Sequence, residues 1–314
     1  MLDPRADFVG RIQTSATRIR PFGGFFFLCG GPHDARLNPP GSVRSLLWRE
    51  ISSGRHSDLS ERMKLAEEIQ DWFRDGKYRD LVTFEEHLAS LASVILLVVE
   101  SAGSIAELGA FSASNSITEK LIAVVPEHHF DDDSYIRLGP INRIEFSAGR
   151  PTLVLDWHDV DVLGRHSPNV LKLEPMLGEI LEAVRSLLAA PRGEKNFKWD
   201  VPCHVMILIC ELCDLFGALI EREIKSYVST VAPEIEASTV EQYLFLLTSC
   251  GLLGLKASSG GRYYHAPGWK SHVIFGFEEG PRIDRDRTRV DVLEFYKRTT
   301  AQRFDVVRQL RGAK

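Results

Sequence analysis

Six consecutive β-branched or leucyl residues, Val94-Ile95-Leu96-Leu97-Val98-Val99, constrain this chain more than any other stretch. The run has no polar alternation, so a strand made from it needs cover on both faces, as in a parallel sheet. Glu100 ends the run, Gly103 permits a tight turn, and Ser104 is placed to cap a helix starting at Ile105. Open α/β sheets place ligands where a buried strand ends and a helix begins. Glu107 is expected in the first turn of that helix, near Glu100. Two carboxylates flanking a small-residue turn suit glycosidic chemistry, in which one attacks or stabilises the anomeric carbon while another group handles protons. Ser104-x-x-Glu107 also fits a capping box, in which Glu107 only satisfies a backbone N–H. Spacing alone leaves both readings open.

The pattern Glu-x-x-Gly-Ser-x-x-Glu-Leu-Gly-Ala-Phe, from Glu100 to Phe111, resembles the signature of the nucleoside deoxyribosyltransferase-like effectors encoded beside bacterial retrons. Phe-Leu-Cys-Gly-Gly, ending at Gly31, is similar to their first strand and loop, and Lys120-Leu121-Ile122 and Gly139-Pro140 follow in the same order. The likeness covers residues 25–145. It implies a Rossmann-like, nucleoside deoxyribosyltransferase-like parallel-sheet domain that cleaves an N-glycosidic bond, with Glu107 as nucleophile. Glu85 matches a further glutamate of these effectors, although an exposed glutamate is the ordinary case. The extra aspartates and C-terminal asparagine of true deoxyribosyltransferases have no counterpart here, which bears on the substrate more than on the bond.

A chain of 314 residues is long enough for two domains. Net charge is −5, yet residues 281–314 carry ten Lys/Arg against five Asp/Glu, so the cations gather in the tail. The five cysteines show no metal spacing with histidine, and Cys210-x-x-Cys213 lies in an apolar helical run, as buried thiols do. No segment has the length of a membrane span, and a cytoplasmic protein is expected.

Along the chain, residues 1–20 read as an arm or short helix, and Phe25 to Cys29 as the first strand. Gly30 and Gly31 then leave room for a ribose or phosphate, beside a loop in which Asp34 and Arg36 are within reach. A helix is expected over 42–51, a second over 59–73 and a third over 84–92. The stretch 127–133, with two histidines and three aspartates, lacks a calcium-loop spacing and reads as a solvated loop. A long amphipathic helix is expected over 167–190. These signals divide the chain into a catalytic domain (1–165), a connecting helix and linker (166–200) and a C-terminal domain (201–314).

The C-terminal domain has three helical stretches followed by a Gly-Gly hairpin, the winged-helix order. Its third helix lacks Lys and Arg, which disfavours tight duplex reading. Lys256 and Arg262 on the hairpin suit a single strand, and protein docking is equally open. One continuous basic helix is expected over 290–310, offering Arg298, Arg303 and Arg308 to a polyanion.

These readings combine into a toxic effector of a retron anti-phage system. The resemblance implies control by a reverse transcriptase and its multicopy single-stranded DNA/RNA, with a homo-oligomer or higher assembly expected. Glu107 would attack C1′ of NAD, the first choice of substrate, releasing nicotinamide and ADP-ribose. Glu100 would bind ribose hydroxyls beside Gly30, Gly31, Gly103 and Ser104. No cofactor and no metal are expected. Two alternatives stand: an N-glycosidase or ribosyltransferase acting on nucleosides or nucleic acid, and a non-catalytic nucleotide-sensing winged-helix regulator.

Overall fold

The computed structural model describes residues 2–69, 76–131, 133–277 and 284–312. The chain divides into two compact units. One is a sheet unit within residues 23–191; the other combines residues 2–22, 76–79 and those from 192 onward. The opening residues therefore belong with the C-terminal helices, and residues 166–191 with the sheet.

The sheet unit is built on the apolar run. Val94–Val98 is a strand buried at every position, the third in a five-stranded sheet ordered Met63–Lys64, Phe26–Cys29, Val94–Val98, Leu121–Pro126, Leu153–Leu155. All four pairings are parallel. Side chains alternate across a strand, and Val94, Leu96 and Val98 share one core with Leu46 and Leu47 of the helix Val43–Ser52 and with Ile180, Leu181 and Val184 of the helix Leu177–Ala189. The opposite face lies under Leu81–Leu91 and Ala102–Ala113, which also pack on each other. Burying a side chain such as Leu96 contributes about 1.5–3 kcal/mol, so covering both faces fixes the sheet firmly.

Three expectations change here. The stretch 59–69 forms no continuous helix: Leu59 and Ser60 end a single helical turn, Ser57–Ser60, Met63–Lys64 is the edge strand and Ala66–Glu68 a 3₁₀ turn, while positions 70–73 lie outside the described residues. Pro175 holds Val170–Met176 in a 3₁₀ helix, so the long helix begins only at Leu177. Glu127–Asp131 is a helical turn, and it brings the His128 and His129 ring centroids within 4.3 Å, tilted by 49°.

In the other unit, Pro202–Phe216, Glu221–Val231 and Ala237–Ser249 are three helices followed by the hairpin Gly254–Ser258/Gly261–His265. Leu219 bridges to Tyr264 of the hairpin. The strand Ile12–Ile19 pairs antiparallel with Val273–Phe277 and with Lys195–Asn196. Glu211 is fully buried in the first helix, and its carboxylate accepts from Trp269 Nε1, Ser271 Oγ, the His272 amide and Arg285. The expected basic helix is two helices, Arg285–Thr299 and Ala301–Gly312, broken at Thr300. No helix among the described residues is long and apolar enough to cross a membrane.

Candidate active site

The site lies in the sheet unit, where the central strand gives way to its helix. That helix starts at Ala102, with Ser101 as its cap. Ser101 Oγ accepts the Ser104 amide at 3.1 Å, and the buried Ser104 Oγ accepts the Ser101 and Glu100 amides at 2.9 and 3.0 Å. The reciprocal cap is therefore Ser101-x-x-Ser104, three residues earlier than expected. It satisfies the orphan donors of the first turn and moves Glu107 into the second turn, where a capping role is closed to it.

Glu107 Oε2 is instead buried with no hydrogen-bond partner among the described residues. Burial pushes the Glu107 carboxyl up to about 8, the negative charge of Glu85 adds to this, and Arg44 opposes it. Glu85, on Leu81–Leu91, is itself pushed up to about 7 by burial and then by Glu67, again against Arg44. Near neutral pH the pair thus holds about one proton, with Glu85 the first to ionise. Cys29 lies on the same side of the sheet, its thiol driven well above its usual range by burial and then by the charges of Glu107 and Glu85, which leaves it inert as a nucleophile.

Arg44 is the cation that balances these acids. It is 5% exposed, and its guanidinium binds Glu67 through two bonds of 2.7 and 2.6 Å and the Gly31 carbonyl at 3.2 Å. Neither Arg44 nor Glu67 stands out in the sequence. The one available signal is an arginine two residues past the cap Ser42, where the helix dipole disfavours a cation.

Glu100 points elsewhere. Its Oε1 accepts the Gly31 and Arg44 amides at 3.1 and 3.0 Å, and its Oε2 accepts the Val43 amide at 2.7 Å. The carboxylate occupies the N-terminus of Val43–Ser52, the position an anionic ligand would otherwise take. Burial raises its pKa while the three amides lower it. Glu100 is a brace joining strand, loop and helix. Gly31 is required by that brace, since a Cβ there would lie 2.8 Å from Glu100 Oε1. At Gly30, φ is +145° and a Cβ would meet the Val98 carbonyl at 3.0 Å. The space over both glycines is thus filled by protein. Gly103 is exposed, and nothing in the structure demands a glycine there. Asp34 and Arg36 hydrogen-bond to each other at the surface. No group of three or more His, Cys, Asp or Glu among the described residues is arranged to hold a metal.

Of the cations expected to meet nucleic acid, Lys256, Arg262, Arg298 and Arg308 are exposed. Arg303 is not. The break at Thr300 turns the last helix so that Arg303 faces inward with Val306 and Val307. There Arg303 binds Glu223 at 2.7 Å and lies over the rings of Tyr263 and Tyr296. Glu223 Oε1 also accepts from Arg5, so Arg303 belongs to a buried ion network.

A parallel sheet with buried acids at the carboxyl end of its central strand defines an α/β protein with a site of the kind enzymes use. The family model described as "STM3845 retron effector protein" matches residues 40–255, and the chain belongs to this family of retron effectors. It is 39% identical over 219 residues to an Escherichia coli protein named "Retron Ec86 putative ribosyltransferase/DNA-binding protein", covering 64% of this chain and 67% of that one. It is 40% identical over 65 residues to the Escherichia coli "Retron Ec73 putative ribosyltransferase/DNA-binding protein", a match spanning 21% of each chain.

Proposed function

We propose that this retron effector cleaves an N-glycosidic bond in a Rossmann-like, nucleoside deoxyribosyltransferase-like unit, with NAD as substrate. The observation that carries this is Glu107 Oε2, a buried carboxyl oxygen without a hydrogen-bond partner among the described residues, which feels the charge of a second acid, Glu85. Raised pKa values at paired acids in one site support a catalytic role. In the proposed reaction Glu107 Oε attacks C1′ as the bond to the pyridinium nitrogen breaks, and that electron pair leaves with neutral nicotinamide. Water then attacks the glycosyl-enzyme, Glu85 takes its proton, and Glu107 is released as carboxylate. Nicotinamide departs without needing a proton, so both acids are required only as bases. The cationic ring of NAD favours their ionised forms, which a neutral nucleoside does not. The names of the Escherichia coli relatives, which include ribosyl transfer, support the same bond type.

The second unit would act as a winged-helix docking module for the retron reverse transcriptase and its multicopy single-stranded DNA/RNA. Support comes from the order of three helices and a hairpin, the exposed Lys256, Arg262, Arg298 and Arg308, and the DNA-binding part of the relatives' names. In this reading the enzyme is toxic when freed of that control and works as an assembly of several copies. The test is Glu107→Gln. The purified variant should keep its fold and lose both NAD hydrolysis and growth arrest. A variant that still hydrolyses NAD and arrests growth refutes the nucleophile.

A further inference from the structure

Within the helical unit, a cavity of about 690 Å³ opens between Pro202–Phe216, the end of the hairpin and the last two helices. This volume suits a small organic ligand. Its floor is apolar, made by Cys213, Gly217, Val307 and Leu310. Gly217 has φ +82°, and a Cβ there would lie 3.0 Å from Val307 Cγ1, so the floor is closely packed.

One wall is the Trp269 indole. Its ring is fixed, because Nε1 donates to the buried Glu211 at 2.9 Å and His272 packs against it edge-on. His265 also lines the cavity, and burial lowers its pKa, followed by the charge of Lys256, which favours the neutral ring.

The charged groups decide what fits. Asp214 faces the cavity, but its Oδ2 is taken by Arg289 at 2.6 Å and by Arg285 at 3.5 Å. Arg289 also binds Asp286 at 3.1 Å. Arg311, in the last turn of Ala301–Gly312, has no hydrogen bond or ion pair among the described residues. Burial lowers its pKa and the nearby Arg289 adds to this, the direction expected of a cation beside another cation. An arginine in a final helical turn also complements the helix dipole, but that role needs neither an indole wall nor an apolar floor.

We propose that this cavity binds a nucleotide, with its flat base against Trp269 and the apolar floor and its phosphate on Arg311, supported by Arg289. Guanidinium groups pair well with phosphate, and indole faces take bases of any sequence. The same chemistry is offered by a free mononucleotide and by the phosphorylated end of a single strand. The cavity belongs to the helical unit and Glu107 to the sheet unit, and the inference does not depend on the glycosidase reading.

The test is calorimetric titration of the full chain with AMP, with UMP, and with a short single-stranded oligonucleotide carrying or lacking a 5′-phosphate. Arg311→Glu should weaken the bound species by about tenfold or more. Leu310→Trp, which fills the cavity and leaves the charges in place, should remove binding, and Arg311→Lys should retain most of it. Arg311 makes no hydrogen bond or ion pair among the described residues and Leu310 is only partly buried, so thermal melts should match the parent. Binding by mononucleotides identifies a free nucleotide as the ligand. Binding only by the phosphorylated strand identifies a strand end. Absence of binding by all four up to millimolar concentration overturns the proposal, as does binding that neither Arg311→Glu nor Leu310→Trp alters.

Discussion

Glu107→Gln should make the sheet unit more stable at neutral pH while removing its activity. The carboxyl is pushed up to about 8 from an ordinary value of 4.5. A carboxyl with a raised folded-state pKa favours the folded state fully below 4.5, and that stability is lost as pH rises from 4.5 through 8. Each pH unit in that window removes about 1.4 kcal/mol, so the loss by pH 7 approaches ~3 kcal/mol, or about 2–3 kcal/mol after allowing for partial solvent contact. Glutamine has the same shape and no charge to lose. Amide hydrogen exchange on peptides covering Val94–Val98 reads the effect within one unit and avoids assuming that a two-unit chain unfolds in one step. At pH 4 the variant and parent should exchange almost alike. At pH 7 the variant should exchange roughly 30- to 100-fold more slowly, at tenfold per 1.4 kcal/mol. A ratio that stays the same at both pH values would mean that Glu107 is ordinarily ionised in the folded protein, and the account of the site would fail.

Burial is the main cause of the raised Glu107 carboxyl, and Glu85→Gln removes the charge that adds to it, so the rising limb of NAD hydrolysis against pH should move to lower pH. Its plateau should drop by roughly 10²-fold from loss of the base that activates water; an unmoved limb would separate the two acids. Gly31→Ala and Glu100→Ala should each destabilise the sheet unit by about 2–4 kcal/mol, the first by a clash and the second by orphaning three amides. Because both act on one contact, hydrogen exchange on the double variant should show clearly less than the sum. Arg303→Glu should destabilise the helical unit by about 3–5 kcal/mol by breaking a buried ion pair. Thermal melts would show this, whereas Arg308→Glu should leave the melt unchanged and lower nucleic-acid affinity with a shallower salt dependence.

The central strand was legible because Val94 to Val98 admits no reading other than burial, and the parallel sheet follows from that. The hairpin was legible from Gly260-Gly261 between two short arms that follow the third helix. The cap was not. Ser101 and Ser104 are equally good caps, and only the hydrogen bonds choose between them, a choice that decides whether Glu107 is a staple or a free acid. The pairing of Ile12–Ile19 with Val273–Phe277 joins stretches more than 250 residues apart in the sequence, a distance that no local pattern spans. Arg44 and Glu67 come together through tertiary packing alone. The break at Thr300 was masked because the apolar stripe runs on across it, yet it alone turns Arg303 from surface to core.

The division of the chain also sets an order of events on the ribosome. The sheet unit with Glu107, Glu85 and Arg44 is complete by residue 191, whereas residues 2–22 wait for a partner strand at Val273–Phe277. At about 5–20 residues per second, synthesis of residues 192–314 takes roughly 6–25 s. For that interval the nascent chain carries a finished acidic site while the helical unit is still unmade. Any restraint that acts through the helical unit therefore arrives late, and a chain stalled or cut in this interval escapes it.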